Sequence, residues 1–227
     1  MSQKSGIAIG RLLPVLALAS SISFSETVTT LAQDSDDRRQ YVQLTIVGQF
    51  SSDQRSITAA GKAKHLAAKF EVVFPAGPGL AREAKALAGK TVVARGTLVQ
   101  CTEDGKDGTP ECDRRRNPSG LFFLPVSLKE FRKADGPVSK QDHIVSVVCR
   151  GLIHTDVVAL GGETTGSTLE LTSDGRETWE LQLPDRDVTT ARRANGKSVL
   201  VSGTVSVRKG VAVMERWIVT VRNLLPK

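Results

Sequence analysis

The strongest constraint on this chain is that it contains the same segment twice. Phe70-Glu-Val-Val-Phe-Pro75, a short helical stretch and Gly89-Lys-Thr-Val-Val-Ala-Arg-Gly-Thr97 form the first copy. Trp179-Glu-Leu-Gln-Leu-Pro184, another short helical stretch and Gly196-Lys-Ser-Val-Leu-Val-Ser-Gly-Thr204 form the second. Gly48 and Gly151 are 103 residues apart, Phe70 and Trp179 are 109 apart, and Gly96 and Gly203 are 107 apart. A repeat this long points to two similar folding units. Phe131 and Leu224 are only 93 apart, so the first copy carries an insertion between its last two strands. That insertion holds Cys101, Cys112 and Arg114-Arg-Arg116.

Around the repeat, apolar and polar residues alternate with the period of half-buried strands, as in Val42-Gln-Leu-Thr-Ile-Val-Gly-Gln-Phe50. Ala81–Ala88 reads as a helix, with Leu80, Ala84 and Leu87 on one face and Gly89 as its stop. Its counterpart puts Val188, Ala191 and Ala194 on one face before Asn195-Gly196. Each copy therefore reads strand, strand, strand, helix, strand, strand. The expected fold is mainly β, with two tandem five-stranded OB-like barrels and one helix between strands 3 and 4 of each. The expected boundaries are a first barrel over 41–134, a linker over 135–140 and a second barrel over 141–227.

The second copy also resembles an OB-like module of exported bacterial proteins of uncharacterised function. Val147-Val-Cys-Arg-Gly151, Gly161-Gly-Glu-Thr-Thr-Gly166, Trp179-Glu-Leu-Gln-Leu183 and Glu215-Arg-Trp-Ile-Val-Thr-Val221 carry that resemblance. The first copy keeps the strand framework alone. The resemblance implies a fold and an exported setting, and no reaction.

The N-terminus fits export. Lys4 and Arg11 precede an apolar run that reaches Phe24, and Thr30 and Ala32 offer the small residues of a cleavage site. Residues 1–32 are expected to be a signal peptide and 33–40 a polar leader, with no transmembrane segment after cleavage. Cys101 and Cys112 have a spacing a disulfide can close, and Cys149 lies within an apolar strand pattern. His65, His143 and His154 show no ligand spacing, so neither a metal nor a cofactor is expected.

Candidate binding residues are few. Arg114, Arg115 and Arg116 form a short basic run, and Trp217 could be a stacking platform, although both tryptophans sit in strand patterns that favour the core. The glycine-rich loop 161–166 is flanked by strands and has no following lysine, so it reads as a hairpin turn. No nucleophile–base motif is present, and no enzyme activity is expected. The formal charge of +7 would suit an anionic partner, but it is spread along the chain and reads first as solubility. The sequence thus points to an exported, non-enzymatic binding or structural module whose partner, a protein or an anionic polymer, it does not name. With only ten aromatic residues (7 Phe, 2 Trp, 1 Tyr), most at positions that alternation turns inward, no specific nucleic-acid partner is expected. The alternative is an accessory domain or a hydrolase-type enzyme whose site is assembled only in three dimensions.

Overall fold

Alternation along β1 (Tyr41–Phe50) sends Val42, Leu44, Ile46 and Phe50 into the core and leaves Tyr41, Gln43, Thr45 and Val47 on the opposite face. The computed structural model describes residues 41–59, 66–74, 78–101, 121–132, 145–158, 165–172, 175, 177–210 and 215–227. The first half continues with β2 (Ser56–Ala59), β3 (Ala68–Glu71), α1 (Pro78–Leu87), β4 (Thr91–Gln100) and β5 (Leu121–Glu130). The second half comprises β6 (Val145–Val158), β7 (Thr165–Glu170), β8 (Thr178–Gln182), α2 (Asp185–Arg193), β9 (Ser198–Lys209) and β10 (Glu215–Pro226). The protein is mainly β, and each half has its helix between its third and fourth strands, as the repeat implies.

In the second half the pairings run β6–β7–β8–β10–β9 and return to β6. Every step is antiparallel except β8 with β10, where Leu181 lies parallel to Val219. The first half repeats this order through β3–β2–β1–β4–β5. Its parallel step is reduced to one bridge, Val72 with Phe123, where the Val73 N–H donates to the Phe123 carbonyl at 3.0 Å. Val72 and Leu181 are 109 residues apart, the spacing of Phe70 and Trp179. The two parallel contacts are therefore the same contact in the two copies.

The repeated Gly-Thr pair is explained by strand approach. A Cβ on Gly96 would run into the Leu124 carbonyl, and one on Gly203 into the Thr220 carbonyl. Both ladders shift register beside these sites, between Arg95 and Gly96 and between Val221 and Asn223.

The halves are not separate barrels, and this departs from the sequence expectation. β1 pairs antiparallel with β6 from Tyr41–Arg150 to Ile46–Val145, so all ten strands belong to one hydrogen-bonded sheet. In each half the first strand gives one edge to the fourth strand and only the end of the other edge to the second. The remaining edge has open N–H and C=O groups, and the two copies satisfy each other's. The expected linker, 135–140, lies outside the described residues.

Aromatic side chains strengthen the junction. Trp217 stacks on Trp179, with centroids 5.5 Å apart and planes at 12°, and meets Phe70 of the first half edge-on at 5.4 Å. Phe70 also touches Phe123. Leu66 donates its backbone N–H to the Val207 carbonyl at 2.8 Å, a second backbone link between the halves. The helices add small buried residues, Ala84 from α1 and Ala191 from α2. Among the described residues no helix is long and apolar enough to cross a membrane.

Candidate functional site

Opposed residues in an antiparallel ladder project to the same face, so the registers map the outer surface of the joined sheet. Its central strands run β5, β4, β1, β6, β9, β10. Phe122 pairs with Val99, Tyr41 with Arg150, Arg150 with Leu200, and Leu200 with Leu225. Val42 pairs with Leu98, so the next step of that register sets Tyr41 beside Val99. The result is one row across all six strands: Phe122, Val99, Tyr41, Arg150, Leu200, Leu225. At ordinary strand spacing it is about 24 Å long.

The row faces away from the core, because each neighbour in sequence points into it. Val42, Cys149, Val201 and Phe123 are all buried. Phe122 and Tyr41 are half-buried, and Leu225 is 57% exposed. The Arg150 guanidinium lies over the Tyr41 ring, 5.2 Å from its centroid, and the arginine is itself buried. That contact fixes the ring by a cation–π attraction.

The next two rows are polar. One includes Thr97, Gln43, Val148 and Ser202, and the Asn223 side-chain amide donates to the Ser202 hydroxyl at 3.3 Å. The other includes Arg95, Thr45, Ser146 and Thr204, with Arg95 exposed. None of the three rows contains a carboxylate. Carboxylates gather instead around β7, β8 and β10. There Glu180 takes two hydrogen bonds from Arg216, both at 2.6 Å, and Glu170 lies 3.1 Å from His154. Burial pushes the Glu177 carboxyl up from its ordinary value, partly opposed by the hydrogen bond it accepts from the Trp179 indole.

The sequence-derived candidates are distributed differently. Trp217 is half-buried with one ring face against Trp179, so it is part of the junction between the halves. Cys101 is buried directly after β4. Cys112, Arg114, Arg115 and Arg116 lie outside the described residues. Their segment leaves the sheet at Cys101 and rejoins it at Leu121, next to Val99 and Phe122. Cys149 is a free, buried cysteine, and desolvation pushes its thiol up to about 12. Among the described residues no group of three or more His, Cys, Asp and Glu side chains could hold a metal ion.

Sequence reasoning missed Tyr41, Phe122 and Arg150. Phe122 adjoins Phe123, so alternation could not tell which ring points inward. Arg150 follows the strand segment Val145–Cys149, and nothing in the sequence shows that its neighbour across the sheet is Tyr41.

No family model matches the chain. No curated protein matches it. Among solved structures it is similar to a deletion mutant of the single-stranded DNA binding protein from Thermus aquaticus. The TM-score is 0.40 and the identity 12%, over 83% of this chain and 95% of that one. The expectation of no specific nucleic-acid partner stands against that finding, in which the similar protein is named for binding single-stranded DNA. Alternation turns Phe50, Phe70, Phe123 and Trp179 inward as expected and leaves Tyr41 and Phe122 on the outer face.

Proposed function

We propose that the protein is an exported, non-enzymatic binding module. In this reading two OB-like five-stranded units share one sheet and hold an extended anionic polymer across its outer face. The observation that carries the reading is the sign of that face. Three rows across six strands have no carboxylate, while Arg95 is exposed and Arg150 is embedded among them. Such a surface attracts a polyanion and does not repel it locally. Thr, Ser, Gln and Asn side chains in the same rows can hydrogen-bond a polymer's oxygens. The segment 102–120, which holds Arg114, Arg115 and Arg116, would supply further cations to the polymer in this reading. A bridge between Cys101 and Cys112 would fix the base of that segment.

Titration with inorganic polyphosphate at several salt concentrations tests this reading. Affinity should fall steeply with salt, as expected when bound cations are released from the polymer. Arg95→Ala should weaken binding, and Arg192→Ala on α2 should leave it unchanged. A protein that ignores polyphosphate, or binds an uncharged polymer equally well, would not fit the proposal.

A further inference from the structure

A polyanion site needs cations and hydrogen-bond donors, but it has no need of rings. The row on the outer face has two, Tyr41 and Phe122, both half-buried. They stand two strands apart with Val99 between them, roughly 10 Å at ordinary strand spacing. Of the other described rings, Phe50, Phe70, Phe123 and Trp179 are buried, Phe74 and Trp217 pack against the core, and Phe131 is half-buried just beyond the end of β5. Arg150 holds the Tyr41 ring from one side.

We infer that Tyr41 and Phe122 stack the bases of a single-stranded nucleic acid whose phosphates lie along the carboxylate-free rows. The inference rests on the polyanion reading of the same face and narrows it to one polymer. Rings beside cations are what sequence-tolerant single-strand binding requires, because every base offers a π-face. Sugar and phosphate oxygens are met by side chains such as Thr97, Gln43 and Ser202 in the adjoining row. Leu200 and Leu225 extend the apolar floor on the other side of Arg150. A duplex buries its bases in the stack and would offer the two rings nothing.

The test compares three ligands on the full mature chain. They are oligo-dT of about 16 nucleotides, an abasic strand of the same length and an acidic polysaccharide. Oligo-dT should bind at least about fivefold more tightly than the abasic strand, as one stacked base would give. Tyr41→Leu and Phe122→Leu should each weaken oligo-dT binding about fivefold or more and leave the abasic strand unaffected. Tyr41→Phe should keep the wild-type affinity. Unchanged melting midpoints would show that the variants are folded. Photocrosslinking of 5-iodouracil strands to wild-type protein gives an independent reading, and the adducts should map to Tyr41 or Phe122. Equal affinity for oligo-dT and the abasic strand would overturn stacking and leave the polyanion reading standing. Ring variants that lose the polysaccharide but not oligo-dT would assign the rings to sugars and overturn the inference. Binding to none of the three would overturn both readings.

Discussion

Leu44 and Val147 hold the same place in their two copies, and they face each other in the ladder that joins them. Both are 2% exposed. The 103-residue shift that carries Gly48 onto Gly151 also carries Leu44 onto Val147 and Val42 onto Val145. It turns the pair Val42–Cys149 into the pair Val145–Ile46, which is also present. The ladder is thus symmetric about its centre, as the contact between identical partners in a dimer would be. Duplication placed two copies of one sticky edge in one molecule, and each covers the other.

Because the two side chains share one packed seam, their truncations should not be independent. Leu44→Ala is expected to cost about 2–5 kcal/mol. Val147→Ala removes two methyl groups and should cost about 1.6 kcal/mol or more. The double variant should depart from the sum by about 0.5 kcal/mol or more in urea unfolding. Strict additivity would mean the halves are energetically separate despite the shared ladder.

The glycines of the repeated Gly-Thr pair should be irreplaceable for steric reasons. Gly203→Ala places a methyl group against the Thr220 carbonyl, a backbone atom that cannot turn aside. A loss of about 1–3 kcal/mol or more is expected, as for overpacking elsewhere. Gly79→Ala, in α1 with open space around it, should instead be neutral or stabilising by up to about 1 kcal/mol. Similar midpoints for the two variants would show that the sheet opens at Gly203 without cost.

The repeat and the strand period made much of this fold readable. Phe70 and Trp179 match, each lies in the third strand of its half, and each is buried. The helices fall where Ala84 and Ala191 predicted an apolar face. The joining ladder was not readable, because alternation says which face of a strand is apolar and nothing of which edge finds a partner. The site was hidden for a related reason. It is made of single residues from six strands, and only the register brings Phe122, Tyr41 and Arg150 into line.

Export and the cysteine bridge can be examined on one sample from the native source. Its mass should correspond to a chain starting near Gln33. Unfolding it without reductant should reveal one reactive thiol, Cys149, with Cys101 and Cys112 bridged. Before unfolding, no reaction is expected from Cys149, which is 0% exposed and has its thiol pushed up to about 12. Reduction should then cost roughly 2–3 kcal/mol, the chain-entropy value for so short a loop. Three thiols in the unreduced protein would remove the bridge, and a full-length mass would remove the cleavage.

Glu177 supplies a pH dependence whose sign can be worked out. Its carboxyl is mostly desolvated and accepts the Trp179 indole N–H at 2.8 Å. Burial is the larger effect and raises its folded value; the indole bond lowers it in part. A carboxyl with a raised folded value binds its proton more tightly in the native state. Its contribution is therefore fully favourable below the ordinary glutamate value and is lost as pH rises through the folded one. Glu177→Gln keeps an oxygen for the indole and removes the buried charge. The variant should melt higher than wild type at neutral pH, and the gap should close as pH falls through the ordinary glutamate range. Melting curves from acid to neutral pH would show this directly. A gap that stays constant with pH, or a variant less stable at neutral pH, would mean that Glu177 is better solvated than its burial implies.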